Sequence, residues 1–207
     1  AIIVVMEGAR CPPPTTVVFV TSSLPFPLEG GGGGRTMTIV RCGSEAAAVL
    51  KFCKFVRDRD PDILLGFEMQ QASLGYLIER ASLLLPQGVT LNDQLSRLNV
   101  PDGAGGGGRA FAASMAQRRT NAGGNLNPAE KYMFTHQSGI VVTGRLVLNC
   151  WRIMRKELRL RQYTLETVAL HVLRRRLPHH AYDTLSEWWT ATPQTAVSVL
   201  RYYRLRL

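Results

Sequence analysis

The chain opens on an unbroken β-branched run. Ile2 to Val5 reads Ile-Ile-Val-Val and predicts a buried strand. Cys11-Pro-Pro-Pro14 ends that pattern, since three successive residues there offer no backbone N–H. Val17 to Val20 predicts a second strand and Met37 to Arg41 a third. Between them Gly30–Gly34 has no periodicity and predicts a disordered loop insertion over 30–34. No Gly-Lys-Ser/Thr follows it, so it does not read as a phosphate-cradling loop.

The period changes to helical at residue 44. Ser44 precedes Glu45 and an Ala-rich turn, an N-cap with an acid at the positive end of the dipole. Val49, Phe52, Cys53 and Val56 recur at helical spacing until Asp60-Pro61, where the pre-proline residue disfavours the α region. Ile63 to Gly66 predicts a short strand. Ser73 then predicts the cap of a helix that buries Leu74, Leu77, Ile78 and Ala81. Residues 86–128, with four glycines at 105–108 and several Asn, predict a long disordered insertion.

Order returns with Ile140 to Val142 and Arg145 to Leu148, a strand or hairpin around Gly144. Cys150 to Leu158 predicts a short helix, and Thr164 caps another with Leu165, Val168, Ala169 and Val172 inside. Thr192-Pro193 opens the last helix, Thr as N-cap and Pro at the first helical position. Strands first, then helix and strand in alternation, predict an α/β domain: a mixed sheet flanked by helices.

Composition sharpens this in three ways. The 45% hydrophobic content of the 207 residues suits one globular domain. No apolar run approaches the roughly 18 residues needed to span a bilayer. The charge is uneven: residues 1–108 hold nine Lys/Arg and ten Asp/Glu, residues 109–207 sixteen and five. That imbalance predicts a polyanionic partner, most simply nucleic acid; an interface with an acidic subunit is the alternative. The four cysteines, at 11, 42, 53 and 150, have no metal-ligand spacing and read as free thiols. The chain begins at Ala1 and ends at Leu207 inside a helical pattern, so it reads as a piece of a longer protein, incomplete at both ends.

Two blocks carry a family resemblance. The first is Asp60-Pro-Asp-Ile-Leu-Leu-Gly-Phe-Glu-Met-Gln, continued by Gly75-Tyr76-Leu77. The second is Gly144-Arg-Leu-Val-Leu-Asn-Cys-Trp-Arg-Ile-Met-Arg, followed by Gln162-Tyr-Thr-Leu and Leu185-Ser-Glu-Trp188. Together they resemble the exonuclease domain of family B DNA polymerases, and within it the branch that copies past lesions. The resemblance covers residues 60–80 and 139–189 well, the N-terminal strands loosely, and the glycine-rich insertions not at all. It implies an RNase H-like, DEDD exonuclease-like fold over 1–207 and a parent DNA-directed DNA polymerase in the nucleus. It implies a primer–template, the remaining polymerase domains and accessory polymerase subunits as partners, and no membrane. It also implies Mg²⁺ and an iron–sulphur cluster outside this segment, and no cofactor within it.

An exonuclease of this type holds two divalent metals on four carboxylates. The first motif's pair falls on Glu7 and Ala9, and Ala9 offers no oxygen. The second motif puts Glu68 at the place of a loop Asn and Ser73 at the place of a carboxylate. The third puts Arg201 at the acid's place beside Tyr202 and Tyr203, and no Asp or Glu follows Glu187. Three of the four acids are absent, which predicts a degenerate nuclease site with no metal; an active metal-dependent 3′–5′ proofreading exonuclease is the alternative. Glu7 on its own reads as a surface acid at a strand end.

Basic residues remain as candidate DNA contacts: Arg152, Arg155, Lys156 and Arg159, placed on one helical face with Arg161 beyond, and the triplet Arg174, Arg175 and Arg176. Trp151, Trp188 and Trp189 offer stacking surface or core bulk. His171 reads as a helix-packing residue, and the adjacent His179 and His180 lack metal-ligand spacing.

Overall fold

The computed structural model describes residues 1–7, 15–21, 37–69, 72–86, 89–98 and 140–207. In chain order these form β1 (Ile2–Met6), β2 (Thr15–Val20), β3 (Met37–Arg41), α1 (Glu45–Arg59), β4 (Ile63–Gly66), α2 (Leu74–Leu84) and α3 (Leu91–Leu95). After residue 140 come β5 (Leu146–Asn149), α4 (Cys150–Glu157), α5 (Leu165–Leu173), α6 (Tyr182–Ala191) and α7 (Pro193–Leu205). The fold is mixed α/β. It divides into two compact units, Ala1–Phe52 with Gln162–Leu207, and Cys53–Arg161, so the division falls inside α1. The five strands form two sheets, one in each unit, where the sequence pattern led us to expect a single mixed sheet.

In the first unit β2 is the middle strand. It pairs antiparallel with β1, Val4 opposite Val17, and parallel with β3, Val18 opposite Ile39. β2 is apolar on both faces, and Val17 to Val20 are all buried. α7 covers one face: Ala196, Val197 and Leu200 pack with Val18, Val20, Met37 and Ile39, and Ile3 and Trp189 close the cluster. The helix starts where the sequence placed it. Thr192 and Thr195 exchange side-chain-to-backbone hydrogen bonds, a reciprocal cap, with Pro193 just inside. Ser44 likewise accepts from the Ala47 N–H at 3.1 Å and caps α1. Helix α6 carries the Leu185-Ser-Glu-Trp188 block, which the periodicity had not marked as helical.

In the second unit β4 and β5 pair in parallel, Ile63 opposite Leu146 through Gly66 opposite Asn149. The two blocks that carry the family resemblance are therefore hydrogen-bonded neighbours, although some eighty residues separate them along the chain. The pairing continues past both strand ends. Leu146 N–H donates to Asp62 O at 2.8 Å, and Trp151 N–H donates to Phe67 O at 3.0 Å.

Three expectations need correction here. Ser73 stands at the N-cap of α2, but its side chain makes no capping hydrogen bond. The hydroxyl turns toward Gly66 instead: a Cβ built on Gly66 would lie 2.9 Å from Ser73 Oγ and 2.7 Å from Met69 Sδ. Residues 89–98 fall within the stretch expected to be disordered, yet they contain α3. Thr90 accepts from the Asp93 N–H at 3.2 Å, and Leu91 and Leu95 are buried. The remainder of that stretch, and Gly30–Gly34, lie outside the described residues apart from Pro86. Finally, α4 ends at Glu157, because Leu158 turns to extended backbone. Arg159 and Arg161 thus lie beyond the helix and do not share the face of Arg152, Arg155 and Lys156.

Candidate functional site

The positions matched to nuclease motifs distribute as follows. Glu7 is exposed, one residue past the end of β1. Ala9 lies outside the described residues. Glu68 is half-buried in the turn between β4 and α2, and its carbonyl accepts the Ala72 N–H at 3.3 Å. Ser73 is half-buried against Gly66. Arg201 is exposed on α7, while its neighbour Tyr202 is buried with Leu185 and Val199. Glu7 and Arg201 belong to the first unit, Glu68 and Ser73 to the second. Among the described residues no three His, Cys, Asp or Glu side chains gather closely enough to hold a metal ion.

The basic residues also divide between the units. Arg152, Arg155 and Lys156 ride on α4, exposed, with Arg155 and Lys156 in the last turn, where positive charge suits the helix dipole. Asn149 caps this helix, its Oδ1 accepting the Arg152 N–H at 3.4 Å. The Arg155 guanidinium stacks 5.2 Å from the centre of the Trp151 ring, and Trp151 is buried. Arg159 is exposed beyond the helix end. In the first unit Arg174 ends α5 in the left-handed region, φ 55°, and Arg174, Arg175 and Arg176 are all exposed.

The other two tryptophans are committed to packing. Trp188 and Trp189 lie half-buried against Leu185, Val199 and Tyr202. The His180 ring sits 5.1 Å from Trp188 and 5.2 Å from Tyr202. His171, expected to pack on its helix, is exposed on α5.

Sequence reasoning missed two charged clusters. In the first unit, Glu166 in the opening turn of α5 meets Arg206 at 2.6 Å and His179 at 3.3 Å. Burial alone would push the Glu166 carboxyl up. Its backbone hydrogen bond, the Arg206 guanidinium and His179 outweigh that and hold it down to about 2. In the second unit, Asp60 Oδ1 accepts from Arg97 Nε at 2.7 Å and from Arg145 at 2.9 Å. Those two guanidinia, the Arg97 hydrogen bond first, hold the Asp60 carboxyl below its usual range. The only sequence signals were the Asp-Pro-Asp and Gly-Arg pairs inside the resemblance blocks; nothing local marked them as partners.

These positions can be set beside known proteins. The model of the DNA polymerase family B exonuclease domain matches residues 32–168. The chain belongs to that family. Among curated relatives, a DNA polymerase zeta catalytic subunit from Arabidopsis thaliana is 35% identical over 152 residues, 66% of this chain and 7% of the relative. The subunit of the same name from Saccharomyces cerevisiae is 32% identical over 149 residues, 71% of this chain and 8% of the relative. The one from Mus musculus is 34% identical over 170 residues, 82% of this chain and 5% of the relative. The chain thus spans less than a tenth of the length of these relatives. The matched region contains β3 through β5, α4 and the start of α5, and so both resemblance blocks except Leu185–Trp188.

Proposed function

We propose that this exonuclease domain is catalytically silent. In this reading it is the RNase H-like domain of a translesion family B polymerase of the zeta type, which scaffolds the polymerase and contacts DNA. The observation that carries the reading is the donor set at the nuclease positions. Glu7 is one carboxylate where four are needed, Ser73 is a neutral hydroxyl turned to Gly66, and Arg201 is a cation. Mg²⁺ is anchored by carboxylate oxygens, with waters completing a near-octahedral shell, and a guanidinium repels it. These side chains do not fit a two-metal site, so no hydrolytic step is routed through them. Silence suits an enzyme that extends mismatched termini, since an active site would remove its own product.

The partners follow from the same reading: a primer–template, the remaining polymerase domains and accessory subunits, in the nucleus, in DNA repair and replication. Mg²⁺ and an iron–sulphur cluster belong to the parent polymerase outside this segment. Among the described residues no helix is long and apolar enough to cross a membrane.

The test is a 3′-exonuclease assay on a labelled primer–template with Mg²⁺ and then Mn²⁺. The expected result is no shortening. Metal-dependent shortening that disappears in Glu7→Ala would overturn the silent reading and make this a proofreading domain.

A further inference from the structure

The residues that carry the family resemblance but have no place in nuclease chemistry converge on one spot of the second unit. Asp60 adopts a left-handed backbone, φ 46°, one residue past the end of α1. Arg97 braces it there. Its guanidinium donates to Asp60 Oδ1 at 2.7 Å, to Asp60 O at 3.0 Å, to Asp62 Oδ1 at 2.7 Å and to Gly144 O at 3.1 Å. Below it lies Arg145, whose side chain is only 1% exposed, a position a charge tolerates only when fully paired. Arg145 donates to Leu95 O at 2.8 Å, to Pro61 O, and to Asp60 Oδ1 at 2.9 Å.

The same residues tie the chain together on either side of residues 99–139. Arg97 N–H donates to Thr143 O at 3.0 Å, and Ser96 Oγ donates to the same carbonyl at 3.2 Å. Gly144 is at φ 81°, and a Cβ there would lie 2.8 Å from Arg97 Cβ. Only glycine lets the two backbones approach this closely while adopting that turn.

We propose that Asp60-Pro61-Asp62, Ser96-Arg97 and Thr143-Gly144-Arg145 form a closed neck that sets the β4–β5 register by itself, so that the second unit folds without residues 99–139. The hydrogen bonds, the ion pairs and the glycine turn all lie outside that segment. Loop-closure entropy also grows only slowly with length, so shortening the connection does not oppose the neck. This inference is independent of whether the domain contacts DNA or cuts it.

The experiment replaces residues 101–138 of the full chain by a short Gly/Ser linker and follows amide exchange. The informative amides are Arg97, bonded to Thr143 O, and Leu146, bonded to Asp62 O. The shortened chain is expected to keep both protection factors within about threefold of the parent. Arg97→Ala in the shortened chain is expected to lower both by at least about tenfold, while the Cys42 amide of the other unit keeps its protection. If Arg97→Ala does not fold, Asp62→Asn removes one arm of the fork and carries the same test, with a smaller drop. Loss of both protections on shortening, or unchanged protection in the Arg97 or Asp62 variant, overturns the proposal.

Discussion

Glu166 shows how one carboxylate can tie an element to a distant terminus. It sits in the first turn of α5, where a negative charge suits the dipole, and bonds Arg206 forty residues later. Its carboxyl is held down to about 2 against an ordinary 4.5. A depressed folded-state pKa contributes stability that is complete above about pH 4.5 and is lost as pH falls toward 2. Acid titration of the melting temperature should therefore show a drop in this window, and Glu166→Gln should flatten it. An unchanged profile in Glu166→Gln would mean that Arg206 contributes nothing through this pair. Cys53 is the contrasting case. It is fully buried, and burial pushes its thiol up to about 11, which leaves it without thiolate at neutral pH. Residue type alone does not distinguish one free thiol from another; burial does.

At the scale of the element, the capping residues were the most legible feature. Ser44, Thr164 and Thr192 all cap as their types predict, because the partner N–H lies three residues away and no distant group is needed. Ser73 failed as a capping side chain for a tertiary reason: Gly66 on the neighbouring strand leaves space that its hydroxyl fills. The end of α4 was legible to within a residue, but Arg159 does not share its face, because the backbone turns extended at Leu158. Helix α7 supplies the test of packing. Leu200 is 1% exposed, packed on strands β2 and β3. Leu200→Ala should cost about 2–5 kcal/mol by denaturant unfolding of the chain. A loss below about 1 kcal/mol would mean that α7 is not essential to that core.

At the scale of the whole molecule, the charge pattern changes meaning once the chain folds. The sequence halves differ sharply, but the units do not. The first unit holds ten Lys/Arg against six Asp/Glu, the second fifteen against nine. Excess positive charge is thus shared between both units rather than confined to a basic half. Exposed basic residues in each are candidates for phosphate contact, Arg174–Arg176 in one and Arg152, Arg155, Lys156 and Arg159 in the other. Replacing Arg174, Arg175 and Arg176 by Ala should weaken DNA binding and flatten its salt dependence. The slope should fall by about 0.9 for each arginine that meets a duplex phosphate. An unchanged slope would remove the triplet from the interface. Arg155 is a poorer probe, since its guanidinium also stacks on buried Trp151 and its loss would disturb packing.

The sequence by itself determined the elements whose signals are local. The β-branched strands and three capped helices could be read from residue type and spacing. It also carried the family, because the two resemblance blocks are contiguous. What it could not carry was any relation between distant residues. The parallel pairing of β4 with β5, the burial of Arg145 beneath Asp60, and the fork of Arg97 onto Asp62 and Gly144 join positions 35 to 85 residues apart. Hydrogen bonds and ion pairs of that kind depend on where the backbone brings two groups in space, and no local period records it. Tertiary structure alone decided that Asp60-Pro-Asp and Gly-Arg, read as a helix stop and a turn, hold one another.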